Sequence, residues 1–158
     1  MTRIAPPAAP PAGRRHRRAA GFTLIETMVT LGIAGVLSSI AYPSLEGQVM
    51  RARRTDALVA LMQAQLAQER FRANNASYGT LAEVGVRPTS AAGHYRIEVA
   101  SSSVSGYELI AFALAGQARD TRCRYLRLAM VDATLTYASG SDATTANGAD
   151  VNRRCWSR

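Results

Sequence analysis

An apolar run from Phe22 to about Leu45 constrains this chain more than any other feature, because it is long enough to cross a membrane. Residues 22–42 alone span about 31 Å as a helix, which matches the hydrocarbon core of a bilayer at about 30 Å. Glu26 is the only charged residue between Gly21 and Leu45. A carboxylate inside a membrane segment costs roughly 2.5–3.5 kcal/mol on insertion scales. A functional role is therefore predicted for Glu26.

A basic leader precedes the apolar run. Residues 1–20 contain five arginines, four prolines and no acidic residue, so no folded element is expected there. In a secretory signal peptide the apolar core precedes the cleavage site, whereas here the candidate site, Gly21, comes first. Cleavage after Gly21 would remove the charges and keep the helix. The leader predicts a cytoplasmic N-terminus by the positive-inside rule, and Arg51, Arg53 and Arg54 beyond the far end are a weaker opposing signal.

The string Gly21-Phe22-Thr23-Leu24-Ile25-Glu26 resembles the processing motif of type IV pilins. The resemblance implies that a prepilin peptidase cuts between Gly21 and Phe22 and methylates the new N-terminal phenylalanine. It also implies that Glu26 meets the Phe22 amine of an adjacent filament subunit, because a buried ammonium and a buried carboxylate stabilise each other only as a pair. Gly35 and Pro43 match the helix-breaking pair of the family. The alternative is a generic single-pass anchor with a chance glutamate.

The net charge is modest once the leader is set aside. The formal charge of +8 includes +5 from the leader, and 14 arginines face 11 acidic residues from Phe22 onward. The high isoelectric point is therefore partly a targeting effect and weak evidence for nucleic-acid binding. The 158 residues suffice for one domain and an anchor.

Cys123 and Cys155 lie in the part that is expected outside the cytoplasm. An even cysteine count in an oxidising compartment favours one disulfide. Closing a loop of about 33 residues would contribute roughly 3–4 kcal/mol in the chain-entropy model. The alternative is a metal pair, but His94 is the only histidine outside the leader.

The first helix is expected to continue to about Asn74. Apolar residues recur at helical spacing at Leu58, Leu61, Met62 and Leu66, and these are predicted to pack against a sheet. The opposite, solvated face is predicted to carry Arg54, Gln63, Gln68 and Arg70. A loop is expected at 75–93, and four strands at 94–99, 107–114, 123–131 and 134–137. Residues 138–154 are predicted to form a polar loop that Cys155 ties back.

These elements predict an α+β chain with the type IV pilin fold. A long N-terminal helix, membrane-spanning in its first half, would pack on a four-stranded antiparallel sheet with a disulfide-closed C-terminal loop. The expected parts are a cleaved leader at 1–21, a membrane or filament-core helix at 22–45, its amphipathic continuation at 46–74 and a globular head at 75–158. The segments Gln68-Glu69-Arg70-Phe71 and Cys155-Trp156 resemble minor pilins of the PilE type.

The resemblance implies a structural minor subunit of a type IV pilus, which contributes to twitching motility, adhesion or DNA uptake. The implied partners are other pilin subunits, the prepilin peptidase, the inner-membrane assembly platform and membrane lipid before assembly. The implied location is the inner membrane, with a cytoplasmic leader and a periplasmic head, and then the extracellular pilus. No catalytic constellation, metal-ligand spacing or cofactor motif is found, so no enzyme, metal or cofactor is expected.

Two alternative functions stay open. One is a pilin that binds DNA itself, as in a competence system, and the other is a type II secretion pseudopilin, against which the C-terminal disulfide loop argues. Phosphate contacts would make DNA binding strongly salt-dependent. Solvated charges that discourage strand pairing are the simpler interpretation of the same arginines. The candidate DNA contacts are Arg119, Arg122, Arg124, Arg127, Arg153 and Arg154.

Overall fold

The computed structural model describes residues 21–157, and it opens with one long helix. Helix α1 runs over Leu24–Arg72, two residues short of the predicted end at Asn74. Thr23 precedes it and acts as an N-cap, since its Oγ1 accepts the Glu26 N–H at 3.3 Å. The helix is unbroken at Gly35 and Pro43.

The predicted four-stranded antiparallel sheet is confirmed. The strands lie in sequence order across the sheet, and each pairs antiparallel with the next. They begin and end within three residues of the predicted bounds. The strands are β1 (Tyr95–Ser102), β2 (Gly106–Ala113), β3 (Tyr125–Val131) and β4 (Thr134–Gly140).

The chain divides into two compact units after Ser39. In the first unit, every described side chain is exposed. The second unit holds the sheet and a hydrophobic core in which Leu61 of α1 is buried together with Ile97, Leu109 and Leu126. The strand pattern is the expected one, because β1 alternates buried residues such as Ile97 with exposed polar ones.

The prediction of which face of α1 packs on the sheet was wrong in part. Met62 and Leu66 are 55% and 56% exposed, and only Leu61 of the predicted stripe is fully buried. Apart from Leu61, the buried apolar residues of this part of α1 are instead small. Two polar residues that were expected on the solvated face are buried or nearly so. The small core residues are Ala57, Ala60 and Ala64, and the polar ones are Arg54 and Gln68.

The prediction of a continuous loop over residues 138–154 was also wrong in part. Strand β4 extends to Gly140, and a second helix, α2, forms over Ala149–Cys155. Asn152 fixes this helix to the sheet: its Nδ2 donates to the Tyr137 carbonyl at 2.8 Å, and its Oδ1 accepts from Ser139 Oγ at 2.9 Å. These long-range bonds satisfy buried polar groups that local sequence patterns do not reveal.

The predicted disulfide between Cys123 and Cys155 is confirmed. The two Cα atoms lie 5.4 Å apart, and both cysteines are buried in the core. The bond joins the short 3₁₀ turn Thr121–Cys123, which precedes β3, to the end of α2. It therefore closes the C-terminal part of the chain onto the sheet.

Candidate functional site

The predicted processing site lies just before α1. Gly21, Phe22 and Thr23 have no regular secondary structure and are exposed, Phe22 to 83%. A peptide bond between Gly21 and Phe22 is thus accessible, and cutting it would leave the helix intact. Glu26 lies in the first turn of α1, where the positive end of the helix dipole favours a carboxylate.

The helix beyond this site is apolar around its circumference. The part of the chain that the structure describes contains one helix that is long and apolar enough to cross a membrane, and none of its most apolar window is buried. A helix that is apolar on all sides is stable where lipid or other helices surround it. Its exposed residues on opposite faces include Leu24, Ile25, Met28, Leu31, Val36 and Ile40.

Arginines converge in the second unit on a cleft of about 280 Å³, here called the arginine cleft. It lies beside the disulfide, since Cys123 forms part of its wall. The charged residues that line it are Arg51, Arg54, Arg119, Asp120, Arg122 and Arg154, and the others are Met50, Thr121, Cys123 and Val151.

A buried ion pair is part of the lining of the arginine cleft. Arg54 Nε and Nη2 donate to the two carboxylate oxygens of Asp120 at 2.6 and 2.9 Å, and the side chains are only 12% and 8% exposed. Arg54 Nη1 also donates to the Arg154 carbonyl at 3.2 Å. This two-pronged geometry is the strong form of an arginine–carboxylate pair. It connects α1 to the end of α2 and to the segment before β3.

The structure brings together three of the six arginines that were candidate DNA contacts, namely Arg119, Arg122 and Arg154. The other three lie outside the arginine cleft and have partners of their own. Arg124 Nε donates to the Ala118 carbonyl at 3.0 Å, Arg127 lies 3.7 Å from a Glu108 oxygen, and Arg153 pairs with Asp150.

Sequence reasoning missed Arg51 and Arg54 as members of this cluster. They were considered only as a topological signal and, for Arg54, as a solvated side chain. Their spacing of three residues places them on one face of a helix, which is the signal that could have grouped them. The partner, Asp120, is 66 residues away from Arg54, so no local pattern could have supplied it.

A second polar cluster fixes the loop before β1. The Asp56 carboxylate accepts hydrogen bonds from Ser90 Oγ at 2.5 Å and from the backbone N–H groups of Ala92 and His94. Burial alone would raise the pKa of Asp56, but these hydrogen bonds and the charge of His94 outweigh it and lower the pKa below its ordinary value.

Two further bonds hold the end of α1. The Gln68 side chain donates to the Gly79 carbonyl at 2.6 Å and accepts its N–H at 3.0 Å. Glu69 accepts from the Tyr107 hydroxyl at 3.2 Å, and burial together with this carboxylate raises the pKa of Tyr107. Gln68 is therefore a buried structural residue, and Glu69 is an exposed residue that accepts a hydrogen bond from the sheet. Within residues 21–157, no group of three or more His, Cys, Asp or Glu side chains is placed to hold a metal ion.

The long apolar helix, the four-stranded antiparallel sheet and the disulfide define the class of type IV pilins, as the sequence predicted. The chain belongs to the family described as type IV minor pilin ComP, DNA uptake sequence receptor, whose model matches residues 43–127. A prokaryotic N-terminal methylation motif matches residues 16–42, which include Gly21, Phe22, Glu26 and Gly35. The prediction of a minor pilin is thereby confirmed, and members of this family are structural subunits rather than enzymes.

Curated relatives come from pili and from secretion systems. The chain is 31% identical over 99 residues to the type IV wide pilus major component PilA4 of Thermus thermophilus, a match that covers 60% of this chain and 74% of that protein. It is 34% identical over 66 residues to type II secretion system core protein G of Aeromonas hydrophila, covering 42% and 46%. The corresponding protein of Klebsiella pneumoniae is 36% identical over 64 residues, covering 40% and 46%. The chain thus spans less than half the length of these secretion proteins.

Proposed function

We propose that this chain is a pilus subunit made as a membrane-anchored precursor with a cytoplasmic leader and a periplasmic head. Prepilin peptidase cuts it between Gly21 and Phe22 and methylates Phe22. The assembly platform of the inner membrane then receives the processed chain and adds it to an extracellular filament. The methylation-motif match on residues 16–42 and the exposed, irregular backbone before α1 support this proposal.

We propose a separate role for each of the segments 1–21, 22–45, 46–74 and 75–158. The first is removed, and the second serves as lipid anchor and later as filament core. The third carries the head, which presents the sheet and the disulfide. The exposed apolar surface of the second segment is the observation that carries this assignment, since it calls for lipid before assembly and for neighbouring helices afterwards.

Glu26 is the proposed docking group. After the cut, Phe22 carries a positively charged amine, and its partner in a filament is the Glu26 carboxylate of a neighbouring subunit. Breaking a buried ion pair by removing one partner costs about 3–5 kcal/mol, which would lower the equilibrium constant for subunit docking more than a hundredfold. Gly35 and Pro43 are proposed as points where the helix yields during packing, because neither residue is a good helix former.

The Glu26 proposal is tested by the variant Glu26→Gln in cells that assemble pili. We expect normal cleavage and membrane insertion, and at least a tenfold lower recovery of the variant in sheared filaments. Glu98→Gln is the matched control, because it makes the same chemical change on an exposed strand of the head. Unchanged recovery of Glu26→Gln would show that the pairing plays no part in assembly.

The secretion alternative has less support than the pilus. The matches to core protein G are only 64 to 67 residues long, whereas the match to PilA4 covers 74% of that pilus subunit. The experiment that separates them is the isolation of the chain with pilus or with secretion components.

DNA capture is the second candidate function, and the description of the matched family as a DNA uptake sequence receptor favours it. The proposed contacts are the six head arginines named from the sequence, at 119, 122, 124, 127, 153 and 154. Each phosphate contact would steepen the salt dependence of the binding constant by about 0.9 in a log–log plot. A salt titration of the full chain in neutral detergent with duplex DNA tests this, and an absence of binding at low salt would refute it.

A further inference from the structure

The arginine cleft adjoins a second depression of different character. This apolar groove has a volume of about 250 Å³ and is lined by Tyr42, Leu45, Val49 and Met50 of α1. It shares Met50 and Arg119 with the arginine cleft, so the two form one continuous surface within the second unit. The remaining residues that line the apolar groove are Glu46, Arg53 and Gly116.

The charge of the arginine cleft exceeds what its own carboxylate balances. Five arginines and one aspartate line it, which gives a net charge of +4. Asp120 binds Arg54, and Glu46 of the apolar groove binds Arg119 at 2.9 Å. Three exposed arginines of the cleft form no ion pair with any residue that the structure describes. They are Arg51, Arg122 and Arg154, the last of which donates its Nε to the Asp150 carbonyl at 3.3 Å and keeps its two other nitrogens for a ligand.

The position of this surface along α1 matches the headgroup layer of a membrane. The apolar segment ends at about Leu45, and Arg51 follows about 9 Å further along the helix axis. Polar headgroups extend roughly 5–8 Å beyond the hydrocarbon core on each side, so the backbone of Arg51 lies just outside this layer and its long side chain can reach back into it. Tyr42 lies within the apolar groove, at a place where an interfacial aromatic is expected.

We propose that the arginine cleft and the apolar groove together bind one anionic phospholipid. The three arginines without an ion pair hold the phosphate of the headgroup, and the apolar groove takes the first carbons of an acyl chain. The proposal rests on the membrane-anchored precursor proposed above, and it makes the head dock on the lipid leaflet that it faces. Duplex DNA offers phosphates but no acyl chain to fill a groove that contains Leu45 and Val49, so the combined surface favours lipid.

Native mass spectrometry of the full chain in neutral detergent tests the proposal directly. The probes are phosphatidylglycerol, phosphatidylcholine and inorganic phosphate, each added separately. We expect one phosphatidylglycerol to remain bound, with weaker retention of phosphatidylcholine and of inorganic phosphate, because only the first offers both an acyl chain and a net negative charge. Equal retention of phosphatidylglycerol and inorganic phosphate would overturn the lipid assignment.

Two variants of equal charge locate the site. Arg122→Gln with Arg154→Gln removes two cations from the arginine cleft, and Arg70→Gln with Arg87→Gln removes two exposed cations elsewhere in the second unit. We expect the first pair to weaken phosphatidylglycerol binding about 30-fold, from a contribution of about fivefold per basic residue near an anionic headgroup, and the control pair to leave it unchanged. Equal binding by both pairs would contradict the proposal.

A variant in the apolar groove distinguishes loss of lipid binding from unfolding and from loss of DNA binding. Val49→Asn is expected to weaken phosphatidylglycerol retention and to leave inorganic phosphate binding unchanged, with melting temperatures measured for every variant. If the cleft variant loses duplex DNA binding while its lipid retention stays the same, the surface belongs to DNA and the lipid proposal is wrong. Because the assay uses detergent-solubilised chain, its outcome is independent of whether the leader is cleaved or the chain assembles.

Discussion

Removal of the disulfide should destabilise the head by an amount that the structure allows us to estimate. The bond between Cys123 and Cys155 spans 32 residues of sequence, and a closed loop of this size restricts the unfolded chain by about 3–4 kcal/mol. The loop contains β3, β4 and α2. Helix α2 has only seven residues, which is too short for stability on its own, so it depends on this bond and on its packing.

The assay is thermal unfolding of the full chain in neutral detergent, followed by the fluorescence of Trp156. This residue is buried and lies 4.9 Å from the Tyr137 ring, so its signal reports the docking of α2 on β4. For the 119 residues of the second unit, 1 kcal/mol corresponds to about 4 °C. The variant Cys123→Ala with Cys155→Ala should therefore melt about 12–16 °C lower than the oxidised chain.

The control is the natural chain after reduction, which should melt close to the temperature of the alanine variant. The variant itself should be insensitive to reductant. If the melting temperature of the alanine variant is less than about 4 °C below that of the oxidised chain, the reasoning is refuted. Such a result would show that the disulfide does not restrict the unfolded ensemble of the head.

Three further changes test the packing of the head. Gly106→Ala should cost at least 3 kcal/mol in unfolding free energy, measured by denaturant titration, because its Cβ would lie 1.9 Å from the Met130 carbonyl oxygen; a smaller loss contradicts the tight strand contact. Arg54→Leu should cost about 3–5 kcal/mol by leaving Asp120 buried and unpaired, and adding Asp120→Leu should recover part of it. Since the folded pKa of Asp56 is lowered from 3.8, its stabilisation is present above that pH and is lost as the pH falls through the folded pKa. Asp56→Asn should therefore flatten the acid side of the stability profile below about pH 4, and an unchanged profile would contradict this.

The features that the sequence predicted well are local. Glu26 in an apolar segment, the alternation around Ile97 and the even pair of cysteines each reflect a pattern within a short stretch. Their physical causes act along the chain: the length of a membrane span, the two-residue period of a strand and the redox chemistry of thiols. The strands were confirmed to within three residues and the disulfide was confirmed, whereas the role of Glu26 stays a prediction.

The features that the sequence did not reveal depend on distant partners. The helical pattern of the sequence assigns Gln68 to the solvated face. In the structure its side chain is buried and forms two hydrogen bonds with the backbone of Gly79. Asp120 neutralises Arg54 across 66 residues of sequence. Asn152, in a segment that composition assigns to a loop, lies in α2 and donates to the Tyr137 carbonyl of β4. The face of α1 that lies in the core is rich in alanine, so its sequence is less hydrophobic than that of a typical core-facing helix. In each of these cases the position of the side chain depends on a partner that is distant in sequence, and the spacing of apolar residues carries no information about such partners.

The intact mass of this subunit in sheared filaments tests the central claim most directly. The account predicts a chain that begins at Phe22, carries one additional methyl group at its N-terminus and is two hydrogens lighter for the bond between Cys123 and Cys155. A subunit that retains residues 1–21, or one that is absent from filaments while its precursor accumulates in the membrane, would contradict the assignment as a processed pilus subunit.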